Sequence, residues 1–218
     1  MTYTALIGDL VGSRGIGGKR RGAIQRDLTE YFGGLLPEES PGLRSQPALT
    51  LGDEFQALFS AHERPSAILE FLIDVQDLCR PEGVRFGIGV GGLTTDLRPT
   101  AIGMDGPCFH RARGAIGDSR SRDLACGVQG EDDLVAEMLS YLISHTLEVR
   151  KRWTAEQREA IHSYLSLDDD QRSWTRVAEQ LGRSPSAITQ RQQGAQWKRI
   201  QAMAGVIERG LARLEGSP

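Results

Sequence analysis

Cysteine and histidine are scarce in this sequence, with three of the first and four of the second among 218 residues. Cys79, Cys108 and Cys126 are odd in number and far apart, which excludes a disulfide framework and offers no zinc spacing; buried, reduced thiols are expected. His62, His110, His145 and His162 are as scattered, so they add no zinc site. No apolar run reaches membrane-spanning length, and the N-terminus lacks the basic-then-apolar order of a signal peptide. A cytoplasmic protein with no membrane partner is expected. A P-loop is missing too: Ser13–Lys19, SRGIGGK, is Gly-rich but lacks two glycines four apart before Lys-Ser or Lys-Thr.

What is present fits a globular chain, 39% apolar and 25% charged, long enough for one good core and a small second domain. The net charge of −3 hides an asymmetry, because residues 171–218 hold eight Lys or Arg against three Asp or Glu. A basic tail on an acidic body points to a polyanion partner for the tail, or to a solvated basic helix face.

The chain is arranged around 48–60, ALTLGDEFQALFS, where two strand-like runs flank a Gly-Asp pair, as in a hairpin. Gly52 takes the turn conformation and holds Asp53 at its tip. Alone, an ordinary turn aspartate explains the pair as well. The first strand, TALIGDL at 4–10, also ends in Gly-Asp. Neighbouring strands would bring Asp9 and Asp53 together over one Mg²⁺, a hard ion that favours carboxylate and phosphate oxygens.

Apolar periodicity predicts helices over 21–35 and 65–79, packed on the sheet. The strand 84–92, VRFGIGVGG, alternates an apolar face with a face of Arg85, Gly87, Gly89 and Gly91. Three glycines on one face imply close approach of a ligand or another chain, or a bulge. Pro107 then opens a helix carrying Arg111 and Arg113 near its start, where an anion would ease their conflict with the helix dipole. The stripe over 134–149 reads as a linking helix that could also pair two protomers. In the tail, Thr154 and Gln157 form a capping box. Ala178, Gly182, Ser184, Pro185 and Ile188 then match what a helix-turn-helix needs. Its exposed face would present Ser186, Thr189, Gln190 and Arg191, with Gln193 and Lys198 beyond, to double-stranded DNA.

This order of elements resembles the catalytic domain of class III nucleotide cyclases and the GGDEF palm domains, with LGDEF at 51–55 close to the GGDEF signature. The resemblance implies Asp9 and Asp53 as Mg²⁺ ligands, with Gly12, Ser13, Arg14, Gly52, Gly87 and Gly89 around a nucleotide triphosphate or cyclic nucleotide. It also implies Arg113 as a catalytic arginine that steadies the transferring phosphate across a dimer interface. Leu51 departs from the first GGDEF glycine, and Phe109 stands where the cyclase Asn would be. More closely, IGDLVGSR, TLGDEFQ, GIGVGGL and IGMDGPCFHRAR with the helix-turn-helix tail resemble the SatD family over nearly the full length.

The expected fold is α+β: a ferredoxin-like, nucleotide cyclase-like palm over 1–130, a linking helix over 131–152, and an all-α helix-turn-helix domain over 153–218. The expected function is a homodimeric DNA-binding regulator of transcription that senses Mg²⁺ and nucleotide. Two alternatives are a working cyclase or nucleotidyltransferase and a catalytically dead dimerisation palm.

Overall fold

The computed structural model describes residues 1–50, 52–168 and 170–216; Leu51 and the side chain of Arg14 lie outside the described residues. Five strands form one sheet in the order β2-β3-β1-β4-β5: β1 Tyr3–Leu10, β2 Leu43–Leu49, β3 Glu54–Phe59, β4 Val84–Gly91 and β5 Cys126–Gln129. Helix α1 (Gly18–Gly33) joins β1 to β2, and α2 (Pro65–Leu78) joins β3 to β4. Pairings among the first four strands are all antiparallel, the arrangement expected of a ferredoxin-like unit. Helix α3 (Pro107–Ser121) crosses over to β5, which runs parallel to β4.

Alternation along the strands assigns the two sheet faces. Leu6 and Leu10 of β1 and Phe55, Ala57 and Phe59 of β3 face α1 and α2, meeting Ile24, Leu28, Phe32 and Phe71. Gly8 lies on the same face because a Cβ there would sit 2.0 Å from the Phe55 ring. Ala5, Ile7 and Leu58 face the other way, onto Cys108, Ala112 and Ile116 of α3. The three glycines of β4 belong to that second face. A Cβ on Gly87 or Gly89 would lie 2.2 Å or 2.1 Å from a carbonyl oxygen of α3. The close approach they permit is that of a helix, which corrects the expectation that Gly87 and Gly89 face a nucleotide.

Helix α4 (Asp133–Lys151) is no mere linker, since its Leu139, Ile143 and Leu147 lie in the same core as the sheet. Beyond it come α5 (Ala155–Leu165), α6 (Trp174–Gln180), α7 (Pro185–Gly194) and α8 (Trp197–Glu215). The first three pack on one another around Ala160, Val177, Ala178 and Ile188. The long α8 returns to the sheet, where Ile207, Leu211 and Leu214 join the main core. At its end the fully buried Glu215 carboxylate accepts from Thr4 Oγ1 at 3.0 Å, Ser60 Oγ at 3.2 Å and the His62 backbone N–H at 2.9 Å. Residues of 153–200 keep clusters of their own, while the end of α8, placed with them in the expected 153–218 domain, joins the core of the sheet.

All three cysteines are buried and free, as expected. Burial pushes the Cys79 thiol up to about 12 and that of Cys108 up to about 11. No helix among the described residues is long and apolar enough to cross a membrane.

Candidate functional site

The rim of the sheet at the end of β1 gathers the expected acidic residues. Register places Asp9 opposite Glu54 on one side and Arg85 on the other. Gly52 turns the chain between β2 and β3 with φ +73°, and its carbonyl accepts from the Gln25 side-chain amide. Gly12 (φ +66°) starts the single 3-10 turn Ser13–Gly15 that leads from β1 toward α1. Arg21 donates to the Ser13 carbonyl at 3.0 Å. Gly12 and Ser13 thus offer backbone at this rim.

Asp9 and Glu54 share the face covered by α3, and each is held by an arginine of that helix. Arg120 donates to Asp9 Oδ2 at 2.9 Å, while both terminal nitrogens of Arg113 reach the Glu54 carboxylate, one of them at 2.7 Å. Arg113 is the seventh residue of α3 and so lies well inside the helix. Neither its position nor its partner matches a helix-start anion contact, which corrects that expectation.

Asp53 turns to the opposite side. It borders a small apolar recess with Leu10, Ile24, Phe55 and Val84, and its buried Oδ2 has no hydrogen-bond partner among the described residues. Even so, the two aspartates feel each other. Burial first, and then the charge of Asp53, push the Asp9 carboxyl above the usual range; Glu54 adds to the rise and Arg120 opposes it. Glu54 goes the other way, because the Arg113 fork and Thr50 outweigh the burial that would raise it.

Two carboxylates with backbone carbonyls suit Mg²⁺ when phosphate oxygens and water complete the shell. Among the described residues no group of three or more His, Cys, Asp or Glu forms a closed metal cage. The unpartnered oxygen of Asp53 and the raised carboxyl of Asp9 are the features that fit a cation. Glu54 and Arg120 were missed in the sequence. The signal was available for Glu54, which follows Asp53 and falls on the Asp9 side of the pleat.

The helical unit has the expected capping box of Thr154 and Gln157 on α5, and Ser184 caps α7; the structure adds Ser173 as the cap of α6. Between α6 and α7 the chain turns through Gly182 at φ +60°. Ser186, Thr189, Gln190 and Gln193 are exposed on α7. Arg191 is not among them: it pairs with Glu159 of α5 at 3.0 Å, and its side chain is only 15% exposed. It ties α7 to α5, which corrects its assignment to the outer face. Lys198 is exposed but belongs to α8, because Gln196 (φ +54°) separates that helix from α7.

The profile of the SatD family matches residues 3–201. No curated protein matches the chain. Among solved structures it is similar to a bacterial light-regulated adenylyl cyclase, at 12% identity and TM-score 0.40 over 58% of this chain and 74% of that one. The guanylyl cyclase Cya2 matches at 15% identity and TM-score 0.36, over 54% and 70%. A regulator of polyketide synthase expression from Bifidobacterium adolescentis matches at 11% identity and TM-score 0.24, over 99% and 82%. Likenesses this distant assign no activity.

Proposed function

This chain belongs to the SatD family, and from that premise we propose a homodimeric DNA-binding regulator whose sheet rim takes Mg²⁺ and a nucleotide as its signal. The observation that carries the reading is the crowding of Asp9, Asp53 and Glu54 at one rim, with a buried Asp53 oxygen left without a partner. A divalent cation relieves such crowding; Asp53, with its unpartnered oxygen, would be its first ligand, and Asp9 would join only by turning away from Arg120. When bound, the ion would neutralise phosphate charge on the nucleotide. Arg113 and Arg120 are the cations at hand for phosphate oxygens, and the backbone of Gly12 and Ser13 borders the same rim.

Sensing is favoured over turnover because Asp9 and Asp53 turn to different sides of the sheet and Asp9 is already held by Arg120. For DNA, Gln190 and Gln193 of α7 are placed for base edges, with Ser186, Thr189 and Lys198 for phosphates. Two copies would present two such helices to a two-fold operator. Support for pairing comes from α4, whose outer stripe leaves Leu134, Met138 and Tyr141 at 66%, 53% and 50% exposure.

Thermal unfolding with Mg²⁺ and each of ATP, GTP and their cyclic forms tests the rim. One of them should stabilise the wild type, by about 2.7 kcal/mol at a hundredfold excess over its Kd, and Asp53→Asn should lose the effect. Equal shifts in both proteins would dismiss the rim as the site. Pyrophosphate released in the same incubation would replace sensing with turnover.

A further inference from the structure

A cleft of about 820 Å³ separates the sheet-bearing body from the helical unit. It exists because α5–α7 hang on the body through the end of α4 and through α8, leaving α2 and α5 to face each other across a gap. Its volume lies inside the roughly 300–1,000 Å³ of small-molecule sites. Neither the rim nor the exposed face of α7 contributes to it. We propose that this cleft binds an organic cation, an ammonium group on an aryl or alkyl body, independently of what the rim binds.

The floor is apolar and aromatic, formed by Trp153, Trp197, Ile200 and Ile161, with Leu69 and Ile73 on the α2 wall. Trp153 and Trp197 meet edge to face, 6.3 Å between ring centroids. Trp197 is buried, and its indole N–H has no hydrogen-bond partner among the described residues.

Charge decides the head group. The arginines of the cleft are committed at one end. Arg150 lies over the Trp153 ring at 4.4 Å and pairs with Asp77 at 3.3 Å. Arg80 pairs with the same Asp77 at 2.7 Å, and Arg158 donates to the Trp153 carbonyl. At the other end Glu70, Asp74 and Glu208 converge from α2 and α8. Glu70 is matched by Arg64 at 2.8 Å and Asp74 accepts from Tyr31 at 2.8 Å, whereas Glu208 has no ion-pair partner among the described residues. Burial and then the neighbouring Glu70 push the Glu208 carboxyl up; burial, followed by Asp77 and Glu70 against the Tyr31 hydrogen bond, does the same to Asp74. Of the three carboxylates Glu208 is the one without an ion pair among the described residues, opposed only by the charge of Arg209, and it lines the same cleft as the tryptophans. A molecule seated there touches α2, α5 and α8 at once, so its binding would fix the helical unit against the body.

Three probes of one shape test the idea on the full chain: 4-phenoxybutylammonium, 4-phenoxybutanol and 4-phenoxybutyrate, followed by calorimetry and tryptophan emission. The ammonium should bind about tenfold tighter than the alcohol, one well-placed charge contact, and the carboxylate should bind weakest. Emission should shift on binding, since two tryptophans form the floor. Glu208→Gln should bring the ammonium down to the affinity of the alcohol while leaving the alcohol and the nucleotide-induced stabilisation unchanged. Ile73→Trp, which fills the cleft, should abolish binding of all three. Equal affinity for ammonium and alcohol, or a wild-type response in Glu208→Gln, would overturn the proposal.

Discussion

Two adjoining carboxylates at the rim carry opposite costs. The folded Asp9 carboxyl lies above its unfolded value, so the ionised side chain weighs against the fold at neutral pH. That burden fades as pH falls through the raised value toward the unfolded one. Glu54 lies below its unfolded value, so its contribution is present above the unfolded pKa and is lost as pH falls through the folded one. Asp9→Asn should therefore be more stable than wild type in urea at pH 7, with the gain gone near pH ~4. Glu54→Gln should lose about 1 kcal/mol at pH 7, a modest figure because Arg113 is half exposed, and the loss should shrink with acid. Opposite signs at neighbouring positions are the signature to look for. Asp9 and Asp53 were legible as neighbours because both end strand-like runs in Gly-Asp. Glu54 was equally visible as a letter, but only the register of β1 on β3 shows that it shares a face with Asp9. Arg191 was misread for a similar reason: periodicity marks a helix face but not the Glu159 across from it.

Helix α3 lies on bare backbone, and the glycines of β4 grade that contact. Gly89→Ala would put a methyl 2.1 Å from the Cys108 carbonyl and 2.2 Å from the Ala112 nitrogen, neither of which can swing away. Gly91→Ala meets its nearest atom, the Cys108 nitrogen, at 3.0 Å. The first should cost at least about 2 kcal/mol in denaturant unfolding and the second clearly less. A nucleotide on this face would instead make both substitutions harmless to stability and harmful to binding. Alternation along β4 was plain in the sequence, but what filled the empty side was not, since a glycine face records only that something comes near. On α4 the apolar stripe was seen as one surface. The fold divides it into Leu139, Ile143 and Leu147 inside and Leu134 and Met138 outside. Leu134→Glu together with Met138→Glu should leave the melting temperature of the protomer nearly unchanged and abolish any dimer seen by sedimentation.

The body and the helical unit share α8, and that sharing joins their stabilities. Ile207, Leu211 and Leu214 join the main core, and Glu215 binds three donors from two segments, β1 and the turn after β3. Glu215→Ala leaves the buried Thr4 hydroxyl unmet and takes the partner from Ser60 and the His62 N–H, and should cost about 3 kcal/mol in a single unfolding transition that includes the helical unit. Two separate transitions would mean that the segments fold apart. The βαββαβ order and the tail helices were readable from periodicity and caps, yet the return of α8 was not. Its apolar positions announce a buried face, while the surfaces that bury it belong to α2 and α4, which no local pattern links to it.

The hydrogen bond between Thr4 and Glu215 also has a practical side. It brings the two ends of the described chain together at the start of β1, five residues before Asp9, or about 17 Å along the strand. A dye attached to an exposed residue beside that corner would sit a strand's length from the acidic rim. Immobilisation through such a side chain would keep the rim open to solution while its ligands are titrated.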